Sequence, residues 1–164
     1  MSHLIQRKVE PKLYSVYMTD DTATFLLFDA SGRLTGYQRY NPNGDKLKRN
    51  TEDSRYYLYG KGIFGMETFK WTNHLFVVEG IFDSTPLHQR GHSCISVLCN
   101  DPKYLRNWFS LLNRPIYTIC DSGKAGQKLA KFGHKSYTVK DDVGAASEEE
   151  IDEFLDFFEV PKYL

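Results

Sequence analysis

The stretch that most constrains this chain is Leu75–Asp83, LFVVEGIFD. Leu75, Phe76, Val77 and Val78 make a short, β-prone apolar run without polar alternation. Such a run reads as a strand covered on both faces, as in a parallel sheet. Glu79 ends it, and Gly80 allows a sharp bend into the next element. A carboxylate in that place sits at the rim where open α/β sheets bind their ligands. Asp83 lies at or just before the first turn of the following helix and can turn back toward the same rim. An acid at one strand end is more often a solvated cap, so the pattern gains weight only if it recurs.

It does recur. Ile116–Cys120 is a second short apolar strand, followed by Asp121-Ser122-Gly123-Lys124-Ala125-Gly126 and a helical stretch over Lys124–Phe132. Between the two strands the pattern predicts a helix over Ser84–Arg90, with Pro86 in its first turn and Gly91 as its stop. A strand over Cys94–Cys99 and a helix over Pro102–Leu112 come next, and a last strand follows over Ser136–Val139. Strands and helices alternating at this spacing imply right-handed crossovers and an α/β fold with a mainly parallel sheet.

Upstream the rhythm is different. Short strands over residues 13–18, 22–29, 33–40 and 55–59 are separated by turn residues, most clearly Asn41-Pro42-Asn43-Gly44. They predict a small antiparallel β-rich lobe. Residues 1–12 show no period and are expected to form an arm. Downstream, Ser147-Glu148-Glu149-Glu150 is a capping box. Ile151, Phe154, Leu155 and Phe158 then follow at amphipathic-helix spacing. That acidic helix either packs back on the domain or docks a basic partner. The expected organisation is a β-rich lobe over 1–70, the α/β unit over 71–146 and the acidic helix over 147–164.

The 21 basic and 21 acidic side chains cancel, but not locally. Residues 33–70 hold eight Lys/Arg against four Asp/Glu, residues 101–140 eight against two, and residues 141–164 one against nine. A basic body beside an acidic tail bears on partners rather than fold. No long apolar run or secretory h-region occurs, so a cytosolic, membrane-free protein is expected. Cys94, Cys99 and Cys120 form no CxxC, which excludes a zinc ribbon here, and they read as reduced, buried thiols.

Two acids on separate strands of one parallel sheet, Glu79 and Asp121, can share a hard cation such as Mg²⁺ or Mn²⁺ together with phosphate oxygens. Lys124, at the start of the helix after Asp121, adds positive charge for an anion. The turn at 121–126 is neither a GxxxxGK[ST] P-loop nor a GxGxxG fingerprint. A metal acting on phosphates is the chemistry this arrangement suggests.

EGIFD at 79–83 with CDSGKAGQKLA at 120–130 resembles the TOPRIM domain of bacterial and bacteriophage DNA primases, in which an EGxxD motif and a later DxDxAG motif flank a metal site. FDASGRLTGYQRY at 28–40, KRNTEDSRYYLYGKGIFGMET at 48–68 and VKDDVG at 139–144 are similar to further primase segments, so the likeness spans about residues 22–155. It implies Glu79 as general base or metal organiser, supported by Asp83, with Asp121 as the first DxD acid and Asp141 as the late acid. It also implies that Arg39, Asn50 and Lys61, with Lys48 and Arg49 beside them, face template or nucleotide. One departure matters: Gly123 stands where the second DxD acid would be. The resemblance implies primer synthesis on single-stranded DNA or RNA from nucleoside triphosphates. A zinc ribbon, helicase or other replication protein would be supplied as a partner in a bacterial or phage-infected cell. A non-catalytic TOPRIM module binding nucleic acid or a replication protein is the alternative, and a TOPRIM nuclease a weaker third.

Overall fold

The computed structural model describes residues 2–164 and contains two four-stranded sheets. The first is an antiparallel meander, β1 (Val16–Met18), β2 (Ala23–Phe28), β3 (Leu34–Tyr40) and β4 (Tyr56–Gly60), in spatial order 1-2-3-4. The second is parallel, with β5 (Leu75–Val78), β6 (Cys94–Ser96), β7 (Ile116–Cys120) and β8 (Lys135–Thr138) in the order 6-5-7-8. The chain is thus α/β, with the parallel sheet, flanking helices and preceding antiparallel sheet that the sequence implies. β5 is buried along its whole length. Leu75 and Val77 pack with Leu105, Phe109 and Leu129 on one side, and Phe76 and Val78 with Leu87, Phe154 and Phe158 on the other.

Helix α2 (Ile81–Gln89) begins three residues earlier than the sequence pattern suggests. Asp83 supplies the reason, because its Oδ2 accepts the Gly80 N–H at 2.7 Å and caps the helix. Pro86 therefore lies inside the helix rather than in its first turn. The Phe82 carbonyl, deprived of a backbone donor, accepts the Thr85 hydroxyl at 3.1 Å instead. Most of α2 is buried, because Leu87 faces the parallel sheet while Ile81 and Phe82 pack with Phe25, Tyr40 and Phe64 of the first lobe. A helix covered all round has no single apolar stripe to read.

Backbone bonds also stitch the sheets together. Phe28 and Ile63 exchange bonds of 3.0 and 2.8 Å, and Phe64 and Ser96 exchange bonds of 3.0 and 2.9 Å. The expected N-terminal arm is instead an ordered element. Helix α1 (Ser2–Gln6) and the turn after it bury Leu4 and Val9 against the first lobe, too few residues to show a period. Beyond it, the Tyr14 hydroxyl lies 2.6 Å from Nδ1 of the buried His88. β6 stops at Ser96, so Cys99 lies beyond it, while Cys94 and Cys120 are buried; all three thiols are free. Helix α3 (Arg106–Leu111) follows a separate 3-10 turn, and α4 (Lys124–Ala130) leads into β8. The last helix, α5 (Glu148–Phe158), has the Ser147–Glu150 capping box and buries Ile151, Phe154, Leu155 and Phe158 in the core. No described helix is long and apolar enough to cross a membrane.

Candidate active site

In the order 6-5-7-8 the chain reverses direction across the sheet between β5 and β7, and ligands of such sheets bind at the carboxyl ends of the strands flanking that reversal. Glu79 follows β5 and Asp121 follows β7 directly. The β6 side holds the Glu79–Gly80 corner in place. Leu98 N–H donates to the Glu79 carbonyl at 2.8 Å, and Ser96 Oγ donates to the Gly80 carbonyl at 2.7 Å. On the β7 side Gly126 is required, because a Cβ there would meet the Asp121 carbonyl oxygen at 1.9 Å.

These two acids open into a cavity of about 560 Å³ shared with Asp83 and Asp142. Asp83 Oδ1 accepts the Gly144 N–H at 3.0 Å while Oδ2 holds Gly80, so both its oxygens are occupied by backbone donors. Asp121 Oδ1 accepts the Val143 N–H at 3.3 Å. Together these bonds fold the 142–145 loop over the rim. Burial, reinforced by Asp121, raises the Glu79 pKa, and burial, opposed by the Val143 N–H, raises that of Asp121. Burial pushes Asp83 up to about 7, helped by the charges of Asp121 and Asp142 and against its two N–H bonds.

The facing wall is cationic and comes from the first lobe. Arg7, Lys46, Lys48, Arg49 and Asn50 line it, with Gln38, Tyr56 and Leu58 from β3 and β4. Lys48 also pairs with Asp53 at 3.0 Å, and Asn50 Oδ1 accepts the Leu58 N–H at 3.1 Å. Arg7 lies over the Phe82 ring at 4.5 Å, with its Nε buried and unpartnered. Of the residues expected at the site, the fold gathers Glu79, Asp83, Asp121, Lys48, Arg49 and Asn50 on one cavity. Asp141 is exposed outside it, and Asp142 lines the cavity in its stead. Arg39 lies over Tyr57 at 5.2 Å, Lys61 over Tyr104 at 4.3 Å, and neither they nor Lys124 line this cavity. Arg7 gave no sequence signal and joins the site only through tertiary packing, whereas Lys46 belongs to the basic stretch of the first lobe.

The donor set is all carboxylate oxygen, which suits a hard cation such as Mg²⁺ held by one or two carboxylates plus water and phosphate. Among the described residues neither Glu79 nor Asp121 is paired with a cationic side chain, so the pair fits such an ion. Among the described residues no three His, Cys, Asp or Glu side chains converge on one metal position. The helix N-cap after Asp121 is Gly123 at φ 104°, ψ −173°, a conformation that an aspartate strains to adopt.

No family sequence model matches the chain, and no curated protein matches it either. Solved structures do. The DnaG catalytic core superposes with a TM-score of 0.68 at 15% identity, over 98% of this chain and 73% of that one. The zinc-binding and RNA polymerase domains of the Aquifex aeolicus primase give 0.62 at 17% identity, over 96% of this chain and 52% of that one. The DnaG primase catalytic domain bound to ssDNA gives 0.62 at 18% identity, over 97% and 64%. The chain therefore has the TOPRIM-type fold of bacterial primase catalytic cores. It spans about half to three quarters of the length of these structures.

Proposed function

We propose that this protein is a primase-like nucleotidyltransferase that extends RNA on single-stranded nucleic acid with Mg²⁺ or Mn²⁺. The observation that carries this reading is one cavity with opposed walls, Glu79 and Asp121 facing Arg7, Lys46 and Arg49. Cations bind and orient a triphosphate, while the acid wall is free for a divalent ion and the attacking hydroxyl. Glu79 and Asp121 would hold that ion, which supplies charge neutralisation on the phosphates. Glu79, at the rim end of β5, would take the hydroxyl proton. Asp83 serves as a positioning residue, since both its oxygens fix the backbone around the rim. The likeness to a primase domain bound to ssDNA supports a single-stranded template. The likeness to a structure that includes a zinc-binding domain supports a separate zinc-ribbon partner. Helicase and other replication partners rest on the sequence resemblance alone.

Glu79→Gln keeps size and hydrogen bonding but removes the charge. Template-dependent incorporation of labelled nucleotide, assayed with a zinc-ribbon protein if one is needed, should fall at least about a hundredfold while the melting temperature holds. Wild-type activity unaffected by Glu79→Gln would place the reaction elsewhere. A glycine in place of the second acid at 123 and, among the described residues, the lack of three converging ligands favour a second reading, a module that binds nucleic acid without chemistry. That module would bind a single strand yet incorporate no nucleotide under any metal.

A further inference from the structure

The antiparallel sheet has a second face, turned away from the cavity, which no part of the proposed reaction uses. Strand alternation sends Phe25, Leu27 and Tyr40 into the core. Their neighbours point the other way. Register places Arg39 opposite Tyr57 and Tyr37 opposite Tyr59 on that outer face, with Tyr17 beyond Thr24 at the far strand. Tyr37 and Tyr59 stack with centroids 5.3 Å apart and planes 21° apart, and Tyr57 lies 6.2 Å from Tyr37. Tyr59 is 59% exposed and Tyr17 68%. Cross-strand pairing of these rings helps hold the sheet, and the exposed surface of Tyr59 and Tyr17 remains open to a partner.

We infer that this outer face is a stacking platform for single-stranded nucleic acid, a second binding surface that feeds the cavity. Three observations select this occupant. The ring faces form an aromatic row of the kind on which unpaired bases stack irrespective of sequence. The charge on the row is cationic: Arg39 lies 5.2 Å from the centre of the Tyr57 ring, donates to the Glu52 carbonyl at 2.8 Å, and has a buried Nε without a partner. No carboxylate pairs with it among the described residues. The face is also continuous with the cavity, because edge strand β4 turns Tyr57 and Tyr59 outward while Tyr56 and Leu58 line the cavity. The basic connection between β3 and β4, carrying Lys46 and Arg49, bounds both. A strand leaving the platform therefore turns one sheet edge to reach Glu79.

This inference rests on the proposed action on single strands, and the test separates the two. Binding of a fluorescein-labelled oligothymidylate of about 20 nucleotides to the full chain is read by anisotropy at several salt concentrations. Tyr57→Leu and Tyr59→Leu should each weaken binding at least about fivefold, while Tyr59→Phe, which keeps the ring, should match wild type. Arg39→Gln should lower the salt slope by about one. Without any substitution, the ring resonances of Tyr57 and Tyr59 should shift on adding the oligonucleotide. Unmoved resonances, or Leu variants that bind as wild type while Lys46→Glu with Arg49→Glu abolishes binding, overturn the platform and leave the cavity reading standing. A wild-type chain that binds no single strand even at low salt overturns both. A dimer that Tyr59→Leu converts to monomer, with unchanged oligonucleotide affinity, marks the face as a self-interface and overturns the platform.

Discussion

Two groups of carboxylates sit on opposite sides of this molecule's electrostatics. At the sheet rim, Glu79, Asp83 and Asp121 have raised pKa values, with burial the leading cause and neighbouring acids adding to it. On α5, Glu148 and Asp152 have lowered values, because Arg90 binds both. Arg90 reaches Asp152 and Glu148 at 2.5 Å each, Lys8 reaches Glu148 and Lys162 reaches Asp152, each at 3.0 Å. Both groups are acidic in sequence, and α5 is the denser. Density therefore does not mark a site. Ion pairing separates the two groups, because no salt bridge reaches the rim acids among the described residues, and partly desolvated carboxylates of that kind are enriched at functional sites.

Breaking the paired group should give the largest effect on stability. The Arg90 side chain is 3% exposed, while Glu148 and Asp152 reach water. Arg90→Leu leaves those acids solvated but removes their link to the end of α2, along with the contact to Tyr163 at 4.8 Å. A loss of about 3 kcal/mol in chemical denaturation is expected, from the two charge-assisted hydrogen bonds that Arg90 makes. Oligonucleotide affinity of the folded variant should not change. The apolar face of α5 enters the core and its acids pair with Lys8, Arg90 and Lys162, so a change in affinity would mean that α5 and the binding surface are coupled after all.

The same contrast shows why part of the site was legible beforehand. β5 and β7 are read to the residue, because unbroken apolar runs have few alternatives, and their terminal acids follow by position. Arg39 was harder, yet its parity was available. It alternates with the buried Tyr40 and shares a face with Tyr37. Choosing between Asp141 and Asp142 depends on a loop without a period, closed by bonds from Gly144 to Asp83 and Asp142. Arg7 was out of reach altogether, because the segment carrying it is held by only Leu4 and Val9 and by a bond from the Thr85 hydroxyl to the Arg7 carbonyl.

The two groups should also respond to pH with opposite sign. Asp83, at about 7 in the folded chain and near 3.8 unfolded, binds more protons when folded, so stability falls as pH rises through that window. The α5 acids are depressed, so their contribution is present above the unfolded carboxylate range and disappears as pH falls through their folded values. Melting without divalent ions should therefore be highest near pH 5 and lower at both ends. The decline from about pH 5 to 7 should amount to about 2 kcal/mol. Asp83→Asn should flatten that upper limb and leave the acid limb intact. Saturating Mg²⁺ should also flatten it, and a limb insensitive to both would remove the rim acids as its cause.

The smallest expected effect comes from adding a fourth acid to the uncompensated group. Gly123, at φ 104°, has nothing within 4 Å of a built Cβ, so Gly123→Asp meets no steric clash but must hold a backbone conformation reserved for glycine. Gly123→Ala bears the same backbone cost without the charge. Each should lose about 1 kcal/mol in the absence of metal, with the aspartate slightly worse for its proximity to Asp121. In Mg²⁺ the two should part: the aspartate variant regains stability and binds Mn²⁺ more tightly by calorimetry, while the alanine variant does neither. Identical behaviour in Mg²⁺ would mean that a carboxylate at 123 points away from Glu79 and Asp121. The rim would then act with two metal-facing acids as its full complement.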